Sequence, residues 1–459
     1  MSGFEIRDII HGGILIDKHE IPVIDSKFIQ RLRQIKQLGF GEYSYPSATH
    51  NRYIHSLGAM HVASLAFSAV FIDGCKMQGP PPINSTQIRL AKGFDRLRAV
   101  LRLASLLHDV GHGPLSHTTE FAMPDVKKIN LPFSLSKNRI ATHEDYTLKI
   151  ILDSSLTPIL EKAGKSFGFT PHHIASLIST DVEVDDDFFI EKIEGQSIQF
   201  QPVLRQIVSS ELDADRMDYL RRDSVYAGVT YGEFDFNWLI RNLTAKIDKD
   251  CCYLALEHRA LYSFEDFLIS RLHMFLMVYF HHKSVIYDEM LKKYLEDSEC
   301  PYKLSSDVEK YCDYTDAHLI MHLSESKNQW AKRIFNKNPY KVLLELHTGI
   351  PATKTADMEQ GRLLQKTKKE LTQEGVDFIE STSIGEFSKY AHKKKDPLFV
   401  RYDNHYSAPS FIPIEKCTDL FTRYYLKRSI TRLYVSPDAY LKTRFKGRVE
   451  PFKYEESEI

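Results

Sequence analysis

Apolar residues recur at helical spacing along most of the first two thirds of the chain. Leu103, Leu106 and Leu107 place one buried face on a helix that runs into the adjacent pair His108-Asp109. Gly111, Gly113 and Pro114 then break that helix, which predicts His112 on a tight turn and His117 at the start of the next helix. Upstream, alternation of apolar and polar residues from Phe4 to Val23 around His11-Gly12-Gly13 predicts a small hairpin or extended arm. Phe28, Leu32, Ile35 and Leu38 predict an amphipathic helix that opens after Asp25-Ser26 and ends at Gly39. A further helix begins at NRYIHSLG, where Arg52 and His55 are three residues apart and share a side.

Thr142 is a suitable N-cap for a helix with His143 and Glu144 in its first turn, and residues 155 to 180 read as two more helices. Leu204, Ile207, Val208, Leu212, Met217 and Leu220 form another helical stripe, on which Asp215, Tyr219 and Asp223 share a face. From Ser263 to Leu295 the pattern is one long, mostly buried helix, interrupted by Arg271, Tyr279 and His281. Residues 74 to 95, with Gly79 followed by three prolines, predict a surface loop, residues 122 to 141 an irregular segment, and the acidic cluster from Asp181 to Asp187 a solvated loop. Beyond about residue 300 the chain is more polar. A lysine-rich tract (Lys366, Lys368, Lys369 and Lys393 to Lys395) surrounds short alternating segments at Leu398 to Tyr402 and Thr431 to Val435. The expected fold is mainly α, with a helical domain over 1–295 that carries the N-terminal arm and a smaller mixed α/β region over 296–459.

Composition narrows the function classes. The 459 residues carry a formal net charge of -1, so no global field draws the molecule to nucleic acid or to an anionic membrane. No uninterrupted apolar run approaches the ~20 residues of a membrane span, and the N-terminus lacks a basic segment followed by an apolar one. Six cysteines without C-x-x-C spacing read as reduced thiols of a cytosolic protein.

The candidate chemistry is concentrated. His108, Asp109, His112 and His117 put three imidazoles and a carboxylate within ten residues, a set that suits a divalent ion and proton transfer near neutral pH. A structural cap would need no second and third histidine. A carboxylate on an otherwise apolar helix costs several kcal/mol unless it meets a cation or metal, so Asp215 needs a partner.

The order His55, His108-Asp109, Asp215 resembles the HD-domain metal-dependent phosphohydrolases. The runs IDSKFIQRLRQIKQLG, HNRYIHSLG, LLHDVGHGPLSH, THE, DADRMDYLRRD and VYFHH are similar, in order and spacing, to the deoxynucleoside triphosphate triphosphohydrolase branch, which has members with and without a SAM domain. The similarity covers roughly residues 5 to 290. It implies one divalent ion, Mg2+ or Mn2+ first and Fe2+, Zn2+ or Ni2+ as further options, held by His55, His108, Asp109 and Asp215. It implies His112, His117 and His143 over the α-phosphate with Glu120 orienting His117, and it implies Arg52, Arg271 and Arg216, the last in place of a family lysine, on the triphosphate. Gln37, Leu38, Tyr219, Asp223 and Tyr279 are implied around the sugar.

Asp25, Gln30 and Arg33 match guanine-reading activator positions. Phe4, however, stands where the family has a lysine, and Trp238 and Asn242 replace the aromatic-basic pair of a second activator site. The resemblance therefore implies hydrolysis of a dNTP, dGTP foremost, to deoxynucleoside and inorganic triphosphate, in a cytoplasmic homo-oligomer built as a dimer of dimers, with a nucleotide activator as a further partner and neither membrane nor nucleic acid as main ligand. Two other readings remain open from the residues alone: an HD phosphohydrolase or phosphodiesterase for another nucleotide or single-stranded nucleic acid, and a nucleotide-binding regulatory protein.

Overall fold

Alternating burial builds the N-terminal hairpin. In this computed structural model, which describes residues 3–71, 94–131, 138–193, 195–349, 354–385, 387–388, 396–424 and 427–441, β1 (Phe4–Asp8) pairs antiparallel with β2 (Gly12–Ile16). Ile14 and Ile16 are buried while Leu15 points outward. The Asp8 carboxylate closes the turn by accepting the N–H groups of Ile10 and His11, each at 2.9 Å. The arm does not stay extended to Val23, because Ile21–Ile24 forms a helical turn with Pro22 near its start.

The helical core holds the site. Helix α1 (Arg52–Phe71) packs against both α2 (Phe94–Leu107) and α4 (Ala214–Ala227), while α3 (His143–Leu152) holds the turn after α2 through the Thr147 hydroxyl, which accepts from Gly111 N–H and donates to the His108 carbonyl. Close approach is obligatory in two places: a Cβ on Gly58 of α1 would lie 1.9 Å from Oδ1 of Asp218, and one on Gly111 would lie 2.2 Å from the His143 carbonyl oxygen. By length and composition α1 could cross a membrane, but 72% of its apolar stretch is buried inside the fold, as a core helix should be.

Three expected helices are interrupted, each where the backbone finds a partner outside the helix. The helix from Lys27 gives way to a 3-10 turn over Leu32–Gln34, then Ile35 is extended. There the Ile35 carbonyl accepts from Arg52 N–H (2.9 Å) and Gln37 N–H donates to the His50 carbonyl (3.0 Å), an antiparallel contact that wins over the next helical turn. The stripe from Leu204 to Leu220 is two helices, Gln201–Val208 and α4, separated where the Asp213 side chain accepts from Ser210 N–H and Arg216 N–H, both at 2.8 Å. The long helix from Ser263 is α5 (Leu261–Met274), a π-helical turn over Phe275–Tyr279, and α6 (His282–Leu295). The π turn rotates Tyr279 toward α4. Of the loop expected over 74–95, Phe94 and Asp95 are already helical and the rest lies outside the described residues, as do Lys393 to Lys395 and residues 132–137 of the irregular segment.

Among the described residues two larger sheets flank the helices. In one, β3 (Ile190–Ile193), β4 (Gln196–Gln199), β6 (Cys251–Glu257), β9 (Phe399–Tyr402) and β10 (Ser410–Pro413) follow in order, with β5 (Leu243–Asp248) also paired to β6. The β6–β9 pairing is parallel and joins segments from both sides of residue 295. In the other, β7 (Lys341–Thr348), β11 (Arg428–Val435) and β8 (Phe378–Gly385) pair antiparallel over a small core of their own with Leu371. Helix α7 (Asp316–Glu325) precedes β7 in sequence. The described cysteines are all free.

Candidate metal centre and substrate pocket

Four side chains, from α1, the turn that ends α2, and α4, converge. Nε2 of His55 lies 3.0 Å from Oδ1 of Asp215, and Nε2 of His108 lies 3.4 Å from the same oxygen. Asp109 completes the group, with Oδ1 3.5 Å from His108 Nε2 and Oδ2 3.6 Å from His55 Nε2. Adjacent ligand atoms of a six-coordinate ion at ~2.1 Å stand about 3 Å apart, close to these separations. Both Nε2 atoms are buried without a hydrogen-bond partner among the described residues, which costs free energy unless an ion takes them. The donor set of two imidazoles and two carboxylates thus fits a divalent cation.

The opposite ring nitrogens are held. His55 Nδ1 is 2.8 Å from Oδ2 of Asp218, and His108 Nδ1 is 2.7 Å from the Ser105 carbonyl oxygen, so in each ring an Nδ1–H donor leaves Nε2 free to ligate. Asp218 is itself anchored by Arg222, whose Nε and NH2 donate at 2.8 and 2.9 Å, and by His11 Nε2 at 2.6 Å. Burial opposes the charge of Asp218, but Arg222, His11 and His55 hold its pKa well below the usual carboxylate range. Asp218 was not legible as a site residue, although its place three residues after Asp215 put it in the same helix turn.

Beside this group lies a second one. Oε1 of Glu120 is 3.1 Å from His117 Nδ1 and 2.5 Å from His143 Nδ1, and the rings of His112 and His143 stack at 3.8 Å. Burial alone would raise the Glu120 pKa, but the two histidines bring it down to about 2, so it is ionised at neutral pH. His112 is buried, and that burial with the nearby charges of Arg52 and His143 keeps its pKa well below the ordinary imidazole value. Its Nε2 is 3.3 Å from Oδ1 of Asp109, which links the two groups. His117, by contrast, is largely exposed. A neutral imidazole next to one oriented by a carboxylate can accept and donate protons.

Both groups open onto a cavity of about 470 Å³. Its walls include Gln37, Leu38, Arg52, Tyr219, Asp223 and Tyr279. Arg52 Nε donates to Ser116 Oγ (2.8 Å), and its NH1 pairs with Asp109, which fixes the guanidinium at the mouth of the metal group. The Tyr279 hydroxyl donates to Oδ2 of Asp223 (2.8 Å), while His50 Nε2 lies 2.7 Å from Oδ1. Oε1 of Gln37 is buried with no partner among the described residues. His50, Ser284 and Asp288 are pocket or pocket-supporting residues that the sequence reading missed.

Arg216 and Arg271 are placed differently from the expectation. Neither lines the cavity: Arg216 pairs with Glu211 (3.1 Å), and Arg271 NH1 donates to the Phe387 carbonyl at 2.9 Å and lies 3.6 Å from Glu211. Asp25, Gln30 and Arg33 do come together. They line a separate cavity of about 490 Å³ between the hairpin and the start of α1, where Arg33 lies over the Tyr53 ring at 3.7 Å and donates to Gln30 Oε1 at 2.8 Å. Phe4, at the expected lysine position, is on the wall of the same cavity.

Known proteins resemble the chain over most of its length. Residues 234–374 match the family model described as "HD associated region". An uncharacterized protein of Methanocaldococcus jannaschii is 29% identical over 339 residues, covering 74% of this chain and 59% of that protein. A Dictyostelium discoideum protein named as a homolog of the deoxynucleoside triphosphate triphosphohydrolase SAMHD1 is 26% identical over 419 residues, covering 87% of this chain and 71% of that one. The chain spans between 51% and 59% of the length of the first curated relatives it matches. Among solved structures, a hypothetical protein from Aquifex aeolicus superposes with a TM-score of 0.69 at 25% identity, covering 96% of this chain and 98% of that one.

Proposed function

We propose that this chain, an HD-domain protein by its relatives and its fold, is a metal-dependent phosphohydrolase whose substrate is a deoxynucleoside triphosphate, cleaved to deoxynucleoside and inorganic triphosphate by water attack at the α-phosphorus. The observation that carries this reading is the convergence of His55, His108, Asp109 and Asp215 beside a nucleotide-sized cavity that Asp109 and Asp215 line, with the His112–His117–His143–Glu120 group next to them. His55, His108, Asp109 and Asp215 would hold a divalent ion, which when bound would supply Lewis acidity and activate the attacking water.

The chain's own residues do the rest. Arg52 carries a fixed positive charge to the pocket and offsets phosphate charge. Glu120 keeps the imidazoles of His117 and His143 oriented, so that a proton can pass to the departing oxygen. Asp223, bonded to Tyr279 and His50, and Tyr219 form a wall that suits a sugar without a 2'-hydroxyl. Asp288 and Ser284, whose hydroxyl has no hydrogen-bond partner among the described residues, lie one turn apart on α6 and supply neighbouring acceptors that suit the adjacent N1–H and N2–H2 donors of guanine, hence dGTP.

The cavity around Asp25, Gln30 and Arg33 supports a nucleotide activator, and our reading includes a cytoplasmic dimer of dimers. The test is to incubate the purified chain with each dNTP in Mg2+, Mn2+, Fe2+ or chelator and to separate the products. Metal-dependent release of deoxynucleoside and triphosphate supports the reading. Nucleoside monophosphate and pyrophosphate, or no turnover with any metal, sinks it.

A further inference from the structure

The turn between His112 and His117 is held in an unfavourable shape. Leu115 and Ser116 are consecutive non-glycine residues in the left-handed region, with φ of 54° and 63°. Such a pair persists only where its surroundings over-determine it. A single buried carboxylate supplies a central part of those surroundings. Asp316, the first residue of α7, accepts Leu115 N–H with Oδ1 at 2.7 Å and Lys36 N–H with Oδ2 at 2.9 Å, and it is 7% exposed. One side chain thus ties the histidine turn to the segment that enters Gln37 and Leu38. Ser116 reinforces the junction by donating to the Lys36 carbonyl at 2.6 Å.

The same stretch of chain grips the other end of the turn. The Tyr311 hydroxyl donates to the Gly111 carbonyl at 2.9 Å, and Arg31, lying over the Tyr311 ring, donates to the His112 carbonyl at 2.7 Å. Burial lifts the Asp316 pKa to about 6 against the pull of its two N–H partners, so a carboxylate is kept here at a cost that a purely apolar contact would avoid.

We propose that Asp316 is a positioning residue for the reaction: its carboxylate clamps the Leu115–Ser116 turn against Lys36 and so sets His117 relative to the Gln37 wall of the pocket. This rests on reading His117 as a proton donor, and the test separates the two. Wild type, Asp316→Asn and Asp316→Ala are compared as full-length, metal-loaded chains by hydrogen exchange, metal content and dNTP turnover. The clamp predicts faster exchange in peptides covering 33–38 and 111–120, with 52–71 and 214–227 unchanged and metal content retained. It predicts a kcat at least tenfold lower with KM within threefold, Asp316→Asn, which keeps one acceptor oxygen, losing less than Asp316→Ala.

Unchanged exchange at both peptides, a uniform rise across the chain, or an unchanged kcat per metal-loaded chain overturns the proposal. If the wild type turns over no dNTP, the phosphohydrolase reading falls, and the exchange pattern alone upholds or overturns the clamp.

Discussion

Nδ1 of His55 is bonded to Oδ2 of Asp218 at 2.8 Å, which leaves the Nε2 of the same ring facing Asp215 with no hydrogen-bond partner among the described residues. The carboxylate therefore sets which nitrogen can ligate. Partners of this kind are worth roughly 10- to 100-fold in metal affinity. Asp218→Asn is expected to weaken metal binding by about that factor in a chelator competition; affinity equal to wild type would show that the bond does not orient the ring.

Two histidines close in sequence should fail in different ways. His108→Ala removes one of the converging ligands and should abolish both metal binding and turnover. His117→Ala should keep its metal and lose roughly 10²- to 10⁴-fold in kcat, the range for a positioned acid or base. Metal analysis beside steady-state rates distinguishes them, and turnover by metal-free His108→Ala would defeat the assignment.

Asp288 makes stability depend on pH. Burial raises its pKa from 3.8 to about 7, against the bond donated by the Thr118 hydroxyl. A raised folded-state pKa contributes stability that is complete below the unfolded value and is lost as pH rises through the folded one. Between about pH 4 and 7 the wild type should therefore lose stability that Asp288→Asn keeps. Thermal melts across that range should show the variant gaining on the wild type toward pH 8, and a constant gap would refute the shift.

A buried ion pair braces the segment that follows the hairpin against α2. Arg102 is 1% exposed and bonds both carboxylate oxygens of Glu20, at 2.5 and 2.8 Å. Removing one partner strands the other's charge, so Arg102→Met should cost about 3–5 kcal/mol in urea unfolding, whereas adding Glu20→Leu should recover most of it. Equal destabilisation in the single and double variants would be the contrary result.

The cavity lined by Asp25, Gln30 and Arg33 lies apart from the metal group. With dNTPs supplied singly and then as mixtures, an activator site predicts faster turnover of at least one nucleotide in the mixture, an effect lost in Arg33→Ala. Identical rates under both conditions would leave this cavity without a regulatory role.

Much of the site was legible because its chemistry is local. His108-Asp109 at a helix end, the Gly-His-Gly-Pro break and the Thr142 cap each follow from spacing within a few residues, and each element forms as expected. The interruptions were not legible. Lys27 to Leu38 has a helical pattern, but the extended form at Ile35 is decided by His50 and Arg52, and the π turn brings Tyr279 to a bond with Asp223 on another helix. Local periodicity carries no record of such distant partners.

The sequence by itself determined the metal-binding residue types, their order along the chain, and the mainly helical fold that carries them, because apolar spacing and ligand chemistry are properties of single segments. Only the tertiary structure decided that Arg216 and Arg271 turn toward Glu211 rather than the cavity, that Asp218 and Asp288 join the site, and that Asp316 closes the turn between His112 and His117. Those outcomes depend on which buried charge or N–H group finds which partner once the helices are packed, and burial makes every such pairing a matter of distance in space rather than along the chain.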